Sequence, residues 1–212
     1  MKGSEKMAEI QKLFVRKDIL NNPSISNEGL LTYLGLTYQL QKSKILFTSI
    51  DILCCILQGF SEEYTNNRTL YSKIKLGLEN LEENNLIKVL FQIKKQDLAL
   101  DCSKLFLNPE VDSFIIINFK LVQDIVLTPN IAVDKAIRFL LVLTASINNE
   151  TQVGFTSIEK LAQKSRISKK QAVGLVKRLE SHNVLYVHRT NKPTRLNNGQ
   201  IVNRPNQYVL FS

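Results

Sequence analysis

The densest run of chemically capable side chains in the 212-residue sequence is Ser168-Lys169-Lys170-Gln171-Ala172-Val173-Gly174-Leu175-Val176-Lys177-Arg178, four cations with no carboxylate among them. At helical spacing Lys170, Gly174 and Lys177 centre one face, flanked by Gln171, Val173 and Arg178, while Ala172, Val176 and Leu179 lie opposite. Solvated helix faces usually mix signs, so a face of one sign points to a polyanion. Ser168 and Gln171 open this helix, where free amides favour a phosphate and side chains reach base edges. Gln171 suits an adenine there, or a capping box with Ser168. Val173 suits a thymine methyl or a packing contact with the preceding helix, and Gly174 lets a backbone approach closely. Downstream, Arg189, Lys192, Arg195 and Arg204 lie in and around 190–206, where Pro193 and Asn197-Asn198-Gly199 form turns, which predicts a long basic hairpin.

Other chemistries lack their parts. His182 and His188 are the only histidines, and no Cys-x-x-Cys or His-Glu-x-x-His spacing occurs, so no metal or cofactor is expected. There is no phosphate-binding glycine loop and no Gly-x-Ser-x-Gly elbow, and the expectation is a binding protein without catalysis. Cys54, Cys55 and Cys102 are odd in number with no paired spacing, which suits reduced core residues. No apolar run approaches the roughly 18 residues of a membrane span, and the polar stretch after Met1 is unlike a leader, so the cytoplasm is expected.

The chain is 44% hydrophobic and 22% charged, enough for a buried core, and its length suits two domains. Its net charge of +9 is lopsided: residues 1–130 hold 15 Lys and Arg against 15 Asp and Glu, whereas 131–212 hold 13 against 4. Such an excess in one half implies an anionic partner for that half. The expected division is a near-neutral domain over 1–120 and a basic one over 121–212.

A repeat accompanies this division. Phe47-Thr48-Ser49-Ile50-Asp51-Ile52-Leu53 returns as Phe155-Thr156-Ser157-Ile158-Glu159-Lys160-Leu161, Pro23-Ser24-Ile25 as Pro129-Asn130-Ile131, and Leu81-Glu82-Glu83-Asn84-Asn85-Leu86-Ile87 as Leu179-Glu180-Ser181-His182-Asn183-Val184-Leu185. The offsets differ by about ten residues, which places an insertion in the polar stretch 59–69. Each copy predicts a helix (27–41 and 133–147), a second helix opened by a capping box at Thr48/Asp51 and Thr156/Glu159, and a third. In the second copy the third helix starts at Ser168. It ends at a left-handed Asn183, matched by Asn84, and strand-like Val184-Leu185-Tyr186-Val187 follows.

That order, with Ser157-Ile158-Glu159-Lys160-Leu161-Ala162 as first motif helix and Ile167-Ser168-Lys169-Lys170-Gln171-Ala172 as turn and recognition-helix start, resembles the winged helix-turn-helix DNA-binding domains. Arg204-Pro205-Asn206-Gln207-Tyr208-Val209-Leu210 is similar to the last wing strand of plasmid and phage replication proteins. Paired domains, each preceded by a strand and a turn such as Asn22-Pro23-Ser24-Ile25-Ser26-Asn27-Glu28, resemble plasmid replication initiators of Gram-positive bacteria. The resemblance implies an α+β, mainly helical fold of two tandem winged helices and sequence-specific binding of double-stranded DNA. It implies replication initiation on a mobile element, with a transcriptional regulator as the second reading and a protein-interaction scaffold as the third. The family often carries polar residues where Val173 and Gly174 stand, which weakens direct readout there. In the first copy the corresponding helix directs Glu79 and Glu83 outward with Ser72, Lys75, Leu76 and Asn80, and two carboxylates there repel phosphate. Leu76 beside the apolar stretch 50–57 predicts a covered surface, in a homodimer or against the rest of the chain.

Overall fold

In the computed structural model the described residues are 12–40, 43–59, 67–92, 97–106, 112–147, 153–189, 194–195, 201–202 and 205–210. They form an α+β fold. The first course of chain runs β1 (Lys12–Arg16), α1 (Lys17–Asn21), α2 (Asn27–Gln39), β2 (Ile45–Ser49), α3 (Ile50–Leu57), α4 (Arg68–Glu83), β3 (Lys88–Gln92) and β4 (Asp97–Asp101). The second runs β5 (Phe114–Asn118), α5 (Phe119–Leu127), α6 (Val133–Ala145), β6 (Val153–Thr156), α7 (Ile158–Lys164), α8 (Lys169–Ser181), β7 (Leu185–His188), the short pair β8 (Thr194–Arg195) and β9 (Ile201–Val202), and β10 (Asn206–Leu210). Both courses close the same antiparallel sheet: the last strand returns between the other two, in the orders β2-β4-β3 and β6-β10-β7. The opening strands β1 and β5 pair with each other, Lys12 opposite Asn118 through to Arg16 opposite Phe114. The repeat therefore starts earlier than the sequence signal, and α1 and α5 stand where a strand and a turn alone were expected.

Caps set the element boundaries and correct three expectations by one residue. Ser49 and Ser157, not Thr48 and Thr156, cap α3 and α7, their hydroxyls accepting from the amides of Ile52 at 3.1 Å and Lys160 at 3.2 Å. The β-branched threonines stay in their strands, paired with Leu98 and Asn206, and the Thr48 hydroxyl donates to Gln39 Oε1 at 2.8 Å. The left-handed residue after α4 is Asn85 (φ 56°), matching Asn183 (φ 56°), whereas Asn84 has ordinary φ. Each closes a six-residue turn through Leu86 N to Leu81 O and Val184 N to Leu179 O, both 2.9 Å. The helices expected over 27–41 and 133–147 end at Gln39 and Ala145. Helix α4 already contains Arg68 and Thr69, with Asn67 as its cap, and residues 60–66 of the expected insertion lie outside the described residues.

One hydrophobic core runs through both courses. At its centre α2 packs on α6, and each is buried over most of its circumference (Gly29–Leu36 and Ala136–Leu143). Helix α4 crosses α2 at Gly77, where a Cβ would overlap Thr32 Oγ1 and the Glu28 carbonyl oxygen. A Gly77→Ala protein is expected to lose about 1–3 kcal/mol of stability despite its better helix propensity, since overpacking outweighs a gain of about 1 kcal/mol. Chemical denaturation measures this, and an unchanged midpoint refutes the close approach.

The courses are also tied by polar contacts. Arg138, in the middle of α6 and 1% exposed, donates to the carbonyls of Leu20 (3.3 Å) and Ile25 (2.5 Å) and to Asn27 Oδ1. Burial pushes its pKa down to about 10, with the neighbouring Arg166 guanidinium contributing, and it stays charged at neutral pH. Arg166 donates to the carbonyls of Pro23, Ile25, Asn21 and Asn22 at 2.9–3.4 Å. The Lys73 ammonium of α4 pairs with the buried Asp134 of α6. Cys54 and Cys102 are buried and free, with thiols pushed up to about 12 by desolvation, as fits packing residues.

Candidate nucleic-acid interface

Helix α8 is held by its inner stripe, Ala172, Leu175, Val176 and Leu179, all buried. Its start is fixed by a complete capping box: the Ser168 hydroxyl accepts from Gln171 N at 3.2 Å and Gln171 Oε1 accepts from Ser168 N at 3.0 Å. The preceding turn is held at Arg166 (φ 57°), where the first course has Gly59 (φ 77°), and Ile167 N reaches Ala162 O at 3.0 Å. A non-glycine residue in this region is uncommon, and here its guanidinium is anchored on the 21–25 loop.

The outward face carries Lys169, Lys170, Gln171, Val173, Gly174, Lys177 and Arg178, all exposed. Val173 is 37% exposed, so its side chain is partly covered and partly open to solvent. The cations are unequal. Lys170 and Lys177 have no ion pair among the described residues, whereas Lys169 pairs with Glu159 of α7 at 2.5 Å and holds that carboxyl below its ordinary range. The Arg178 guanidinium donates to the carbonyl of Asn130, a left-handed residue (φ 56°) just before α6. Arg189 at the base of the hairpin makes a two-point pair with Glu180, Nη1 to Oε1 at 3.0 Å and Nη2 to Oε2. Arg195 contributes its backbone to β8, opposite Ile201. Lys192 and Arg204 lie outside the described residues.

Part of the positive excess thus serves the fold. Arg138 and Arg166 face the first course, and Lys164 and Arg166 line a cleft of about 430 Å³ where α1, α6 and α7 end, where cations meet the negative ends of helix dipoles. Sequence reasoning missed these roles. The one available signal was Arg138 itself, a lone charge inside Ala136-Ile137-Arg138-Phe139-Leu140-Leu141.

With this geometry in place, the whole architecture has a counterpart among solved structures. The chain folds like an initiator protein. Over 97% of its length it is similar to 100% of the Pi initiator protein solved in complex with iteron DNA, with a TM-score of 0.56 and 9% sequence identity. At that identity the likeness is one of fold. No protein-family model and no curated protein sequence matches the chain. No helix among the described residues is long and apolar enough to cross a membrane, and no group of three or more His, Cys, Asp or Glu among them could hold a metal ion.

Gln171 has a structural role in this site whatever it touches. A Gln171→Ala protein is expected to lose about 1 kcal/mol of stability, because the Ser168 amide loses its acceptor. Thermal melting measures this, and an unshifted melting temperature removes the cap.

The first-course helix α4 presents a different surface. Glu79 and Glu83 are exposed beside Lys75, and Leu76 is 53% exposed. Asn80 departs from the expected outward position: its Oδ1 accepts from Ser26 N at 2.9 Å and its Nδ2 donates to Ser24 O at 3.0 Å, so it ties α4 to the loop before α2. Helix α3 buries Ile50, Leu53, Cys54, Ile56 and Leu57 within the chain and leaves Ile52 42% exposed. Most of the apolar stretch 50–57 is therefore explained by the core.

Proposed function

We propose that this chain is a sequence-specific double-stranded DNA-binding protein that serves as a replication initiator, built as two winged helix-turn-helix domains in tandem. The observation that carries it is the outward face of α8, whose charged residues are all cations, in a chain that shares the fold of an initiator solved on iteron DNA. In each course α3–α4 and α7–α8 supply the helix-turn-helix, and the sheets β2-β4-β3 and β6-β10-β7 supply the wings. The near-neutral first domain spans 1–120 and the basic second domain 121–212 in this reading. Helix α8 enters the major groove, with Ser168 and Gln171 near base edges and phosphate, while Arg189, Lys192, Arg195 and Arg204 place the hairpin on the backbone. Self-association as a homodimer through the exposed α4 surface around Leu76 belongs to the same proposal.

The test is selection of bound sequences from random duplex DNA by the full chain, with affinity followed against salt. A recovered consensus, with log K falling linearly in log salt, supports the proposal. Negligible or salt-independent affinity overturns it and favours a protein-interaction scaffold. Footprints on repeats in an origin support initiation, and a footprint confined to a promoter favours transcriptional regulation instead.

A further inference from the structure

Gly174 is the least explained residue of α8. Mid-helix glycine is unfavourable relative to almost any other residue because it orders the most backbone freedom for no side-chain contact. Gly77 has its reason inside the molecule, the crossing with α2. At Gly174 a Cβ would meet nothing within 4 Å, so no packing within the described chain calls for glycine. The missing side chain instead opens a depression of about 200 Å³ between α8 and the start of α6, lined by Ala132, Lys135, Gln171, Gly174, Leu175 and Arg178. Its floor is apolar and its rim carries two cations and no carboxylate.

We propose that this depression seats one sugar–phosphate strand of the bound duplex, with a deoxyribose against Gly174 and Ala132 and the adjoining phosphate between Lys135 and Arg178. The proposal rests on α8 facing DNA and adds Lys135 to the interface. The chemistry of the rim selects a phosphate. Lys135 and Arg178 only donate, and Gln171 Oε1, an acceptor at the rim, is occupied by the Ser168 amide. Lys135 is half-buried on the first turns of α6 and has no ion pair among the described residues. The Arg178 guanidinium also donates to the Asn130 carbonyl, which sets it beside the approach to α6.

The test uses the full chain and a mixed-sequence duplex, with affinity measured across a salt series and each variant melted alongside. Gly174→Leu is expected to melt at or above wild type, since its side chain enters open space and leucine is the better helix former, yet to bind about tenfold more weakly. Lys135→Gln is expected to lower the salt slope by about one and to abolish ethylation interference at one phosphate. If Gly174→Leu and Lys135→Gln bind as wild type does, the inference falls while the DNA-binding function stands. If wild type itself shows no affinity at low salt, both fall together. A Lys135→Gln protein that keeps its ethylation pattern but changes base preference assigns Lys135 to a base edge and overturns the backbone seat.

Discussion

An Arg138→Met protein is expected to melt roughly 10 °C below wild type, the change of a loss of about 3 kcal/mol in a chain of this length. Methionine fills much of the volume, so the cost comes from the polar partners. Leu20 O and Asn27 Oδ1 lose the donor that Arg138 supplies, while Ile25 O keeps a second one in Arg166. Each buried acceptor left without a donor costs about 1–3 kcal/mol. Relief of the guanidinium's own desolvation, which holds its pKa near 10, offsets part of that. The folded pKa, about 10, lies below the ordinary arginine value, so from about pH 10 up to that ordinary value the unfolded chain keeps a proton the folded chain has released. Stability from this group therefore rises with pH only in that window and is flat near neutrality, where the group is charged in both states. A melting temperature equal to or above wild type refutes the role given to Arg138.

The same residue shows where sequence reasoning stops. Charge counting divides the chain near residue 121 or 131 because electrostatic asymmetry is visible in composition. It cannot show that Arg138 and Arg166, counted in the basic half, spend their hydrogen bonds on carbonyls at 20–25. Nor can it show that β1 pairs with β5, because that pairing joins segments about a hundred residues apart and leaves no periodic signal. A fragment starting at residue 131 would lack β5 and α5, and would expose the face of α6 that packs on α2. Local signals are more legible in the sequence. The Ser168/Gln171 box, the inner stripe of α8 and the turn at Asn183 all depend on neighbours within a helical turn or two. At Thr48 and Thr156 the local signal was ambiguous by one position, since threonine and serine both cap, and strand pairing decided between them.

The candidate interface divides along the same line. The one-sign face of α8 is legible from sequence, but the partners of its cations are not. Lys169 and Arg189 read as equals of Lys170 and Lys177 until Glu159 and Glu180 are found beside them. These exposed pairs are worth little to stability, with a median near 0–1 kcal/mol, yet each places a carboxylate where a phosphate would otherwise come.

That ranking gives the largest expected effect on DNA. Reversing Lys170 and Lys177 together to glutamate is expected to weaken duplex binding by the full chain on the order of a hundredfold at physiological salt, since each change removes a phosphate partner and adds a repulsive charge. The salt slope should fall by about two. Both side chains are exposed and have no ion pair among the described residues, so the melting temperature should stay within the small range of surface substitutions. Lys169→Glu should cost less affinity than Lys170→Glu, because Glu159 already offsets part of that charge. Lys75→Glu on α4, where Glu79 and Glu83 already face outward, should leave affinity nearly unchanged. The comparison separates a located surface from a general charge effect: all these reversals lower the net charge of the chain, and only those on α8 should matter. Equal losses from Lys75 and Lys170 would mean that bulk charge drives binding, and an unaffected Lys170/Lys177 double variant would move the DNA-reading surface away from α8.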